Sequence, residues 1–327
     1  VAIVLLLTAF ALAPVLLSHD VYSYVDYARL GAVHGLDPYT HAPLAAPADP
    51  AFSHVEWTRA TTVYGPLFTL ATYPLALLPV GLAVAVLKAS SALAVLGSAV
   101  VVSRLAAARG VDPGSAAAFV ALNPLVLIHV VGGAHNDGLA ILFATLGVAG
   151  VLARRELGGG ASLAAAFAVK ATACFAAPFA IIGSRDRRRF LLGAAGALAL
   201  VTLASWTAFG FHWLDAVADE SGSRTTSHWS VPSTVARLAG ANTGLVRVVA
   251  LIAFGALLGM LLAWAWRGAD WVRAAAWAGL GLLLATAWLL PWYVIWALPL
   301  AAISRDRTLQ LLVLALTAFQ LRARMPL

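Results

Sequence analysis

Apolar runs rich in Ala, Leu and Val cover Val1–Leu17 and then about 63–80, 82–103, 115–131, 138–153, 160–183, 190–210, 245–266, 272–290, 291–303 and 308–321. Two long polar stretches, 18–62 and 211–244, interrupt them. None of the runs alternates with period two, so helices rather than barrel strands are predicted, and most approach the ~20 residues a crossing helix needs. Even Val1–Leu17, at roughly 1.5 Å per residue, reaches about 26 Å. The pattern predicts an all-α, polytopic transmembrane helical bundle of about 10–12 membrane helices, some short or re-entrant, making one domain over 1–327. A structured first outer loop at 18–62 and a second at 211–244 would carry the polar chemistry. The chain opens at Val1 inside an apolar run, which points to a missing N-terminal segment or a valine-coded start. The absent basic flank leaves a signal-peptide reading open for that run alone.

Composition removes the soluble alternative. The chain is 62% hydrophobic and 11% charged, with mean hydropathy +0.89, against about 25% charged residues in soluble domains. Too little polar surface remains to cover such a core in water, so the solvent is lipid. The net charge of +7 does not point to nucleic acid, because most basic residues sit in short loops between apolar runs, where membrane orientation places them. The one cysteine, Cys174, lies within an apolar run and has no intrachain partner for a disulfide.

The basic loops predict the orientation. Arg104 and Arg109, Arg154 and Arg155, Arg185–Arg189, Arg267 and Arg273, and Arg305 and Arg307 read as cytoplasmic. The stretch 18–62, the turn Gly132–Gly138 and the loop 211–244 then lie outside, in the plasma membrane of the cell. Two places break a simple zigzag. Residues 160–183 have basic loops at both ends and read as two half-helices folded back near Lys170, and 63–103 holds one span too many. All eight histidines and nine of the fourteen acids fall in the outer segments or near outer helix ends. Positive-inside sorting hardly acts on Asp or His, so their pooling implies a polar site on that face.

Five constellations are candidates. His19-Asp20-Val-Tyr-Ser-Tyr24-Val-Asp26 follows the first span, where partial desolvation lifts a carboxylate toward general-base range. The plain alternative is that Asp20 only caps the helix behind it. Gly35-Leu-Asp-Pro-Tyr39 and Tyr64-Gly-Pro-Leu67 are Gly/Pro turns suited to folding a loop onto the bilayer. Gly132-Gly-Ala-His135-Asn136-Asp137-Gly138 is far more polar than a closing turn needs, although one His and one Asp are too few for a metal. Lys170, inside an apolar run, wants an anion or a route to water, with snorkelling as the plain alternative; Lys88 meets the same test less well. Trp292 and Tyr293, in Pro291-Trp-Tyr-Val-Ile-Trp296, read as an aromatic belt or as faces for a sugar.

Taken in order, with Asn123-Pro-Leu and Val169-Lys170 between them, these segments resemble the actinobacterial polyprenyl-phosphomannose-dependent α-1,6-mannosyltransferases of the C-type glycosyltransferase superfamily. The resemblance runs from residue 1 to about 300 and rests mainly on Gly-Gly-Ala-His-Asn-Asp137 and Asp20-Val-Tyr-Ser-Tyr24. It implies membrane helices with the active site largely in the first outer loop, and a catalytic carboxylate there that maps onto Asp20. His135, Asn136 and Asp137 would line the same cavity, with His19, Tyr24, Asp26, Tyr39, Tyr64, Trp292 and Tyr293 as further substrate contacts. A polyprenyl-phosphate sugar donor would react by inverting single displacement with a growing α-1,6-linked mannan or lipoglycan acceptor. Lys170, Arg29 and Arg224 are the candidates for the donor phosphate, and no cofactor or metal is expected. The competing class is a transporter or flippase of lipid-linked sugars, for which no internal repeat is visible. An arabinosyl or other hexosyl transferase is the competitor within the class.

Overall fold

In the computed structural model, which describes residues 1–222 and 226–322, every regular element among those residues is helical. The first helices are α1 (Ala2–Leu12), α2 (Asp20–Ala32), α3 (Pro66–Thr72), α4 (Val80–Ala108) and α5 (Pro113–Ala121). A central group follows: α6 (Asp137–Leu152), α7 (Glu156–Val169), α8 (Ala177–Gly183), α9 (Arg187–Phe209) and α10 (His212–Gly222). The last are α11 (Val231–Ala239), α12 (Thr243–Trp266), α13 (Trp271–Ala285), α14 (Leu298–Ile303) and α15 (Arg307–Arg322). Three of these, α4, α9 and α12, are long and apolar enough to cross a membrane by themselves, and the other apolar segments are shorter. The protein is a polytopic all-α membrane protein.

Several apolar runs break where the sequence forbids a continuous helix. The first ends at Leu12 rather than Leu17, because Ala13 precedes Pro14 and is driven to extended backbone. The carbonyls of Ala13 and Pro14 are taken by the ammonium of Lys88, which reaches across from α4. That accounts for a lysine in the middle of an apolar helix: it satisfies backbone oxygens that the proline break exposes. The run 63–80 is no span. It is α3 followed by a 3-10 turn, Tyr73–Leu77, packed on α2, α7 and α9. The surplus crossing expected in 63–103 thereby disappears into the 29-residue α4. The run 115–131 stops at Ala121; Asn123 holds the break, accepting from Leu125 N at 3.0 Å and donating to Thr317 of α15 at 3.0 Å.

Residues 156–186 form the re-entrant element that sets up the site. α7 packs between α6 and α9. Its start lies against the start of α9, for a Cβ on Gly160 would collide with the Phe190 carbonyl and one on Gly193 with that of Leu157. The two helices therefore run side by side in the same direction. The segment between them, a 3-10 turn Ala171–Ala176 and α8, carries the chain back to the arginine face. The turning point is Lys170, in extended backbone (φ −157°, ψ 118°).

Acids on the arginine face serve structure. Asp112, Asp186, Asp270 and Asp306 accept from backbone N–H groups in the first turns of α5, α9, α13 and α15. Asp270 also pairs with Arg109, and Asp306 with Arg273.

Candidate active site

The site is assembled at the helix ends opposite the arginine loops, from the first polar stretch, the turn before α6, the Lys170 bend and the segment before α14. Asp20 stands in the first turn of α2, but its carboxylate makes no capping bond to that helix. Instead Oδ1 accepts from the indole N–H of Trp57 at 3.2 Å, and Oδ2 lies 3.7 Å from Nδ1 of His135. Burial pushes the Asp20 carboxyl above its ordinary range; the Trp57 bond and the positive charge of Lys170 pull it back only in part. Asp20 is thus a poised carboxylate rather than a helix cap.

The polar turn before α6 supplies the next layer. A π-helical turn, Val126–Val131, leads into it, and Leu16 N binds the Gly132 carbonyl at 3.2 Å, joining the turn to the chain entering α2. The His135 ring stacks on Trp292, with centroids 3.7 Å apart and planes 18° apart. Asn136 is buried and neither amide atom meets a partner; Asp137 is fully buried. Asp137 Oδ2 accepts from the Lys170 ammonium at 3.0 Å and Oδ1 from Trp296 Nε1 at 2.7 Å. The ammonium also lies 4.7 Å from the centroid of the Tyr293 ring. The cation is held by a carboxylate behind it and an aromatic face beside it.

One close approach couples the polar stretch to this cation. Gly65 N donates to the Val169 carbonyl at 3.0 Å, and a Cβ at Gly65 would strike the Ala168 carbonyl. Only glycine lets the Tyr64 turn seat against the end of α7, one residue before Lys170. Tyr64 packs edge-on to Tyr24, centroids 4.7 Å apart, beneath Asp20.

These groups enclose a cavity of about 900 Å³, lined by Asp20, Tyr24, Tyr64, His135, Lys170, Trp292 and Tyr293 among others. Its size suits a small organic ligand rather than a water or an ion. Among the described residues no group of three or more His, Cys, Asp or Glu side chains converges as a metal site would require.

Other expected site residues lie elsewhere. Arg29 bonds both oxygens of Asp49 at 2.8 and 2.9 Å and the Ala76 carbonyl at 2.7 Å, so its guanidinium braces the loop and is absent from the cavity wall. His34 also reaches Asp49, at 2.7 Å. Burial opposes ionisation of Asp49, but these bonds prevail and hold its carboxyl below the usual range. Asp26 is pushed up to about 7 by burial and then by the charge of Asp49, and it does not line the cavity. Tyr39 donates to the Tyr64 carbonyl at 2.8 Å and packs its ring on Phe209. His19 is exposed at the rim, 3.7 Å from Glu56. Asp137 and Asn136 back the wall without lining it. Arg224 falls outside the described residues.

The cavity also holds side chains the sequence did not single out. Trp57 sits in a polar stretch with no local feature to mark it, and Tyr27, His129 and the strip Thr226–Trp229 join the wall only through tertiary packing.

Comparison with known proteins adds a family. Residues 2–185 match the family described as "Alpha-(1->6)-mannopyranosyltransferase, N-terminal domain". An alpha-(1->6)-mannopyranosyltransferase A of Mycobacterium tuberculosis is 34% identical over 90% of this chain and 64% of its own length. The protein of the same name from Corynebacterium glutamicum is 33% identical over 54% of this chain and 37% of its own length. A probable alpha-(1->6)-mannopyranosyltransferase of Mycolicibacterium smegmatis is 28% identical over 89% and 62%. The chain spans less than two thirds of the length of these relatives.

Proposed function

The chain belongs to the alpha-(1->6)-mannopyranosyltransferase family, and from that premise we propose that it transfers mannose from a polyprenyl-phosphate donor to an α-1,6-linked mannan or lipoglycan acceptor at the outer face of the plasma membrane. The observation that carries the reading is Asp20: a partly desolvated carboxylate, free of capping duty, opening on a cavity whose wall also carries a lysine ammonium.

In this reaction Asp20 takes the proton of the acceptor hydroxyl as its oxygen attacks the anomeric carbon. The bond from that carbon to the phosphate oxygen breaks, and the polyprenyl phosphate leaves with the electron pair. One displacement inverts a β-linked donor to an α-linked product. Trp57 holds the Asp20 carboxylate through its indole N–H, and the Lys170 ammonium faces the negative charge that builds on the leaving phosphate. Arg29, committed to Asp49, takes no part.

Membranes bearing the protein, given lipid-phosphate mannose and an α-1,6-mannoside, are expected to extend the acceptor by an α-1,6-linked mannose, read by linkage analysis. Movement of the lipid-linked sugar between leaflets without extension would replace this reading with a flippase. Extension from lipid-phosphate arabinose in its place would change the sugar and keep the class.

A pH prediction follows from the carboxylate. Asp20 works ionised, so turnover falls as pH drops through its pKa, and the acid limb lies above the ordinary carboxylate value of about 4. The Trp57 N–H favours the ionised form, so Trp57→Phe is expected to move that limb to higher pH, measured as the pH profile of kcat/KM for the acceptor. An unmoved limb would detach Trp57 from Asp20.

A further inference from the structure

One wall of the cavity is left unused by the donor chemistry. It is the strip Thr226-Ser227-His228-Trp229, with Trp288 in the same lining. The strip is firmly built. Ser227 N donates to the Ala287 carbonyl at 2.8 Å, next to Trp288. From α11, the Arg237 guanidinium lies 5.2 Å from the Trp229 ring centroid and also bonds the His228 carbonyl. From α15, the buried Gln320 amide donates to the Trp229 carbonyl at 3.0 Å. His228 meets the Trp229 ring edge-on at 4.9 Å. A belt tryptophan dissolved in the lipid interface needs no such bracing; a recognition surface gains from it, because a pre-set ring loses little freedom on binding.

The chemistry of the strip fits a sugar. A half-exposed indole stands beside the exposed Thr226 and His228, which pairs an apolar face with short hydrogen-bonding groups. A pyranose presents the same combination, a C–H face with a rim of hydroxyls. An isoprenoid chain would want unbroken apolar walls. Among the described residues that line the cavity, the lysine that suits a phosphate is Lys170, at the bend beside Tyr293.

We propose that Trp229 is the platform on which the acceptor's sugar ring rests, with Thr226 and His228 bonding its hydroxyls, as a subsite distinct from the donor site. The proposal rests on the transferase reading. The experiment measures KM for the acceptor and for lipid-phosphate mannose separately, in membranes carrying wild type, Trp229→Leu, Trp229→Phe and His228→Ala. Trp229→Leu is expected to raise the acceptor KM about tenfold, equivalent to ~1.4 kcal/mol, with the donor KM unchanged. Trp229→Phe keeps an aromatic face and should stay near wild type. His228→Ala, at an exposed side chain, is expected to raise the acceptor KM less and decides the matter where Trp229→Leu fails to fold. An unchanged acceptor KM, or an equal rise in both KM values, overturns the subsite while wild-type turnover keeps the transferase reading intact. Absence of turnover in the wild type overturns both.

Discussion

Asp20→Asn is expected to lower mannosyl transfer by roughly 10²–10⁴-fold, the usual contribution of a positioned general base, with donor and acceptor KM little changed. The amide keeps the shape of the carboxylate but cannot take a proton, and it leaves the fold intact because Asp20 caps nothing. Neither Trp57 nor His135 substitutes for it. Trp57 offers only a donor N–H, and His135 is buried in its stack on Trp292. The measurement is initial rate in membranes with saturating lipid-phosphate mannose. Full turnover in Asp20→Asn would remove Asp20 from the chemistry.

Lys170→Met is expected to harm both stability and turnover, and a second substitution separates the two. Asp137 is fully buried with Lys170 as its cation at 3.0 Å. Taking away one member of such a pair strands a buried charge, which typically costs ~3–5 kcal/mol. The double variant Lys170→Met with Asp137→Asn removes that charge and is expected to recover most of the lost thermal midpoint in detergent. Its turnover should stay low, because the leaving phosphate still lacks the Lys170 ammonium. A double variant that regains both stability and turnover would make Lys170 a counter-ion for Asp137 and nothing more.

What the sequence disclosed about this site depended on whether cost could be seen locally. Lys170 and Asp137 each stood out because an ionisable group in an apolar setting needs a reason. Their pairing was invisible, since the two lie 33 positions apart and only the fold of α6 against α7 joins them. Arg29 was misread for the opposite cause. In a polar stretch a cation carries no mark of its partner, and its partner Asp49 is 20 positions away. Tyr39 was drawn toward Phe209 by a contact no local pattern encodes. Trp57 had nothing to separate it from any other loop tryptophan. Lys88 was more legible than it was taken to be, for Pro14 necessarily frees carbonyls that a membrane must see satisfied. The helix architecture was readable from hydropathy where runs were unbroken, as in α9 and α12. It was less so around Pro66, Pro79 and Pro124, where backbone chemistry rather than apolarity sets the ends.

The re-entrant bend has a consequence for how the protein is made. The 14 residues of α7 rise only ~21 Å, short of the ~30 Å hydrocarbon thickness. Such a segment leaving the ribosome has neither the length to hold a transmembrane position nor a partner for its lysine. It acquires both when α6 brings Asp137 alongside and α9 closes over Gly160. Lys170 therefore reaches its station only after α9 has followed it in the chain. A nascent chain that already bears Asp20 has no complete cavity around it until Trp292 and Tyr293 have been made.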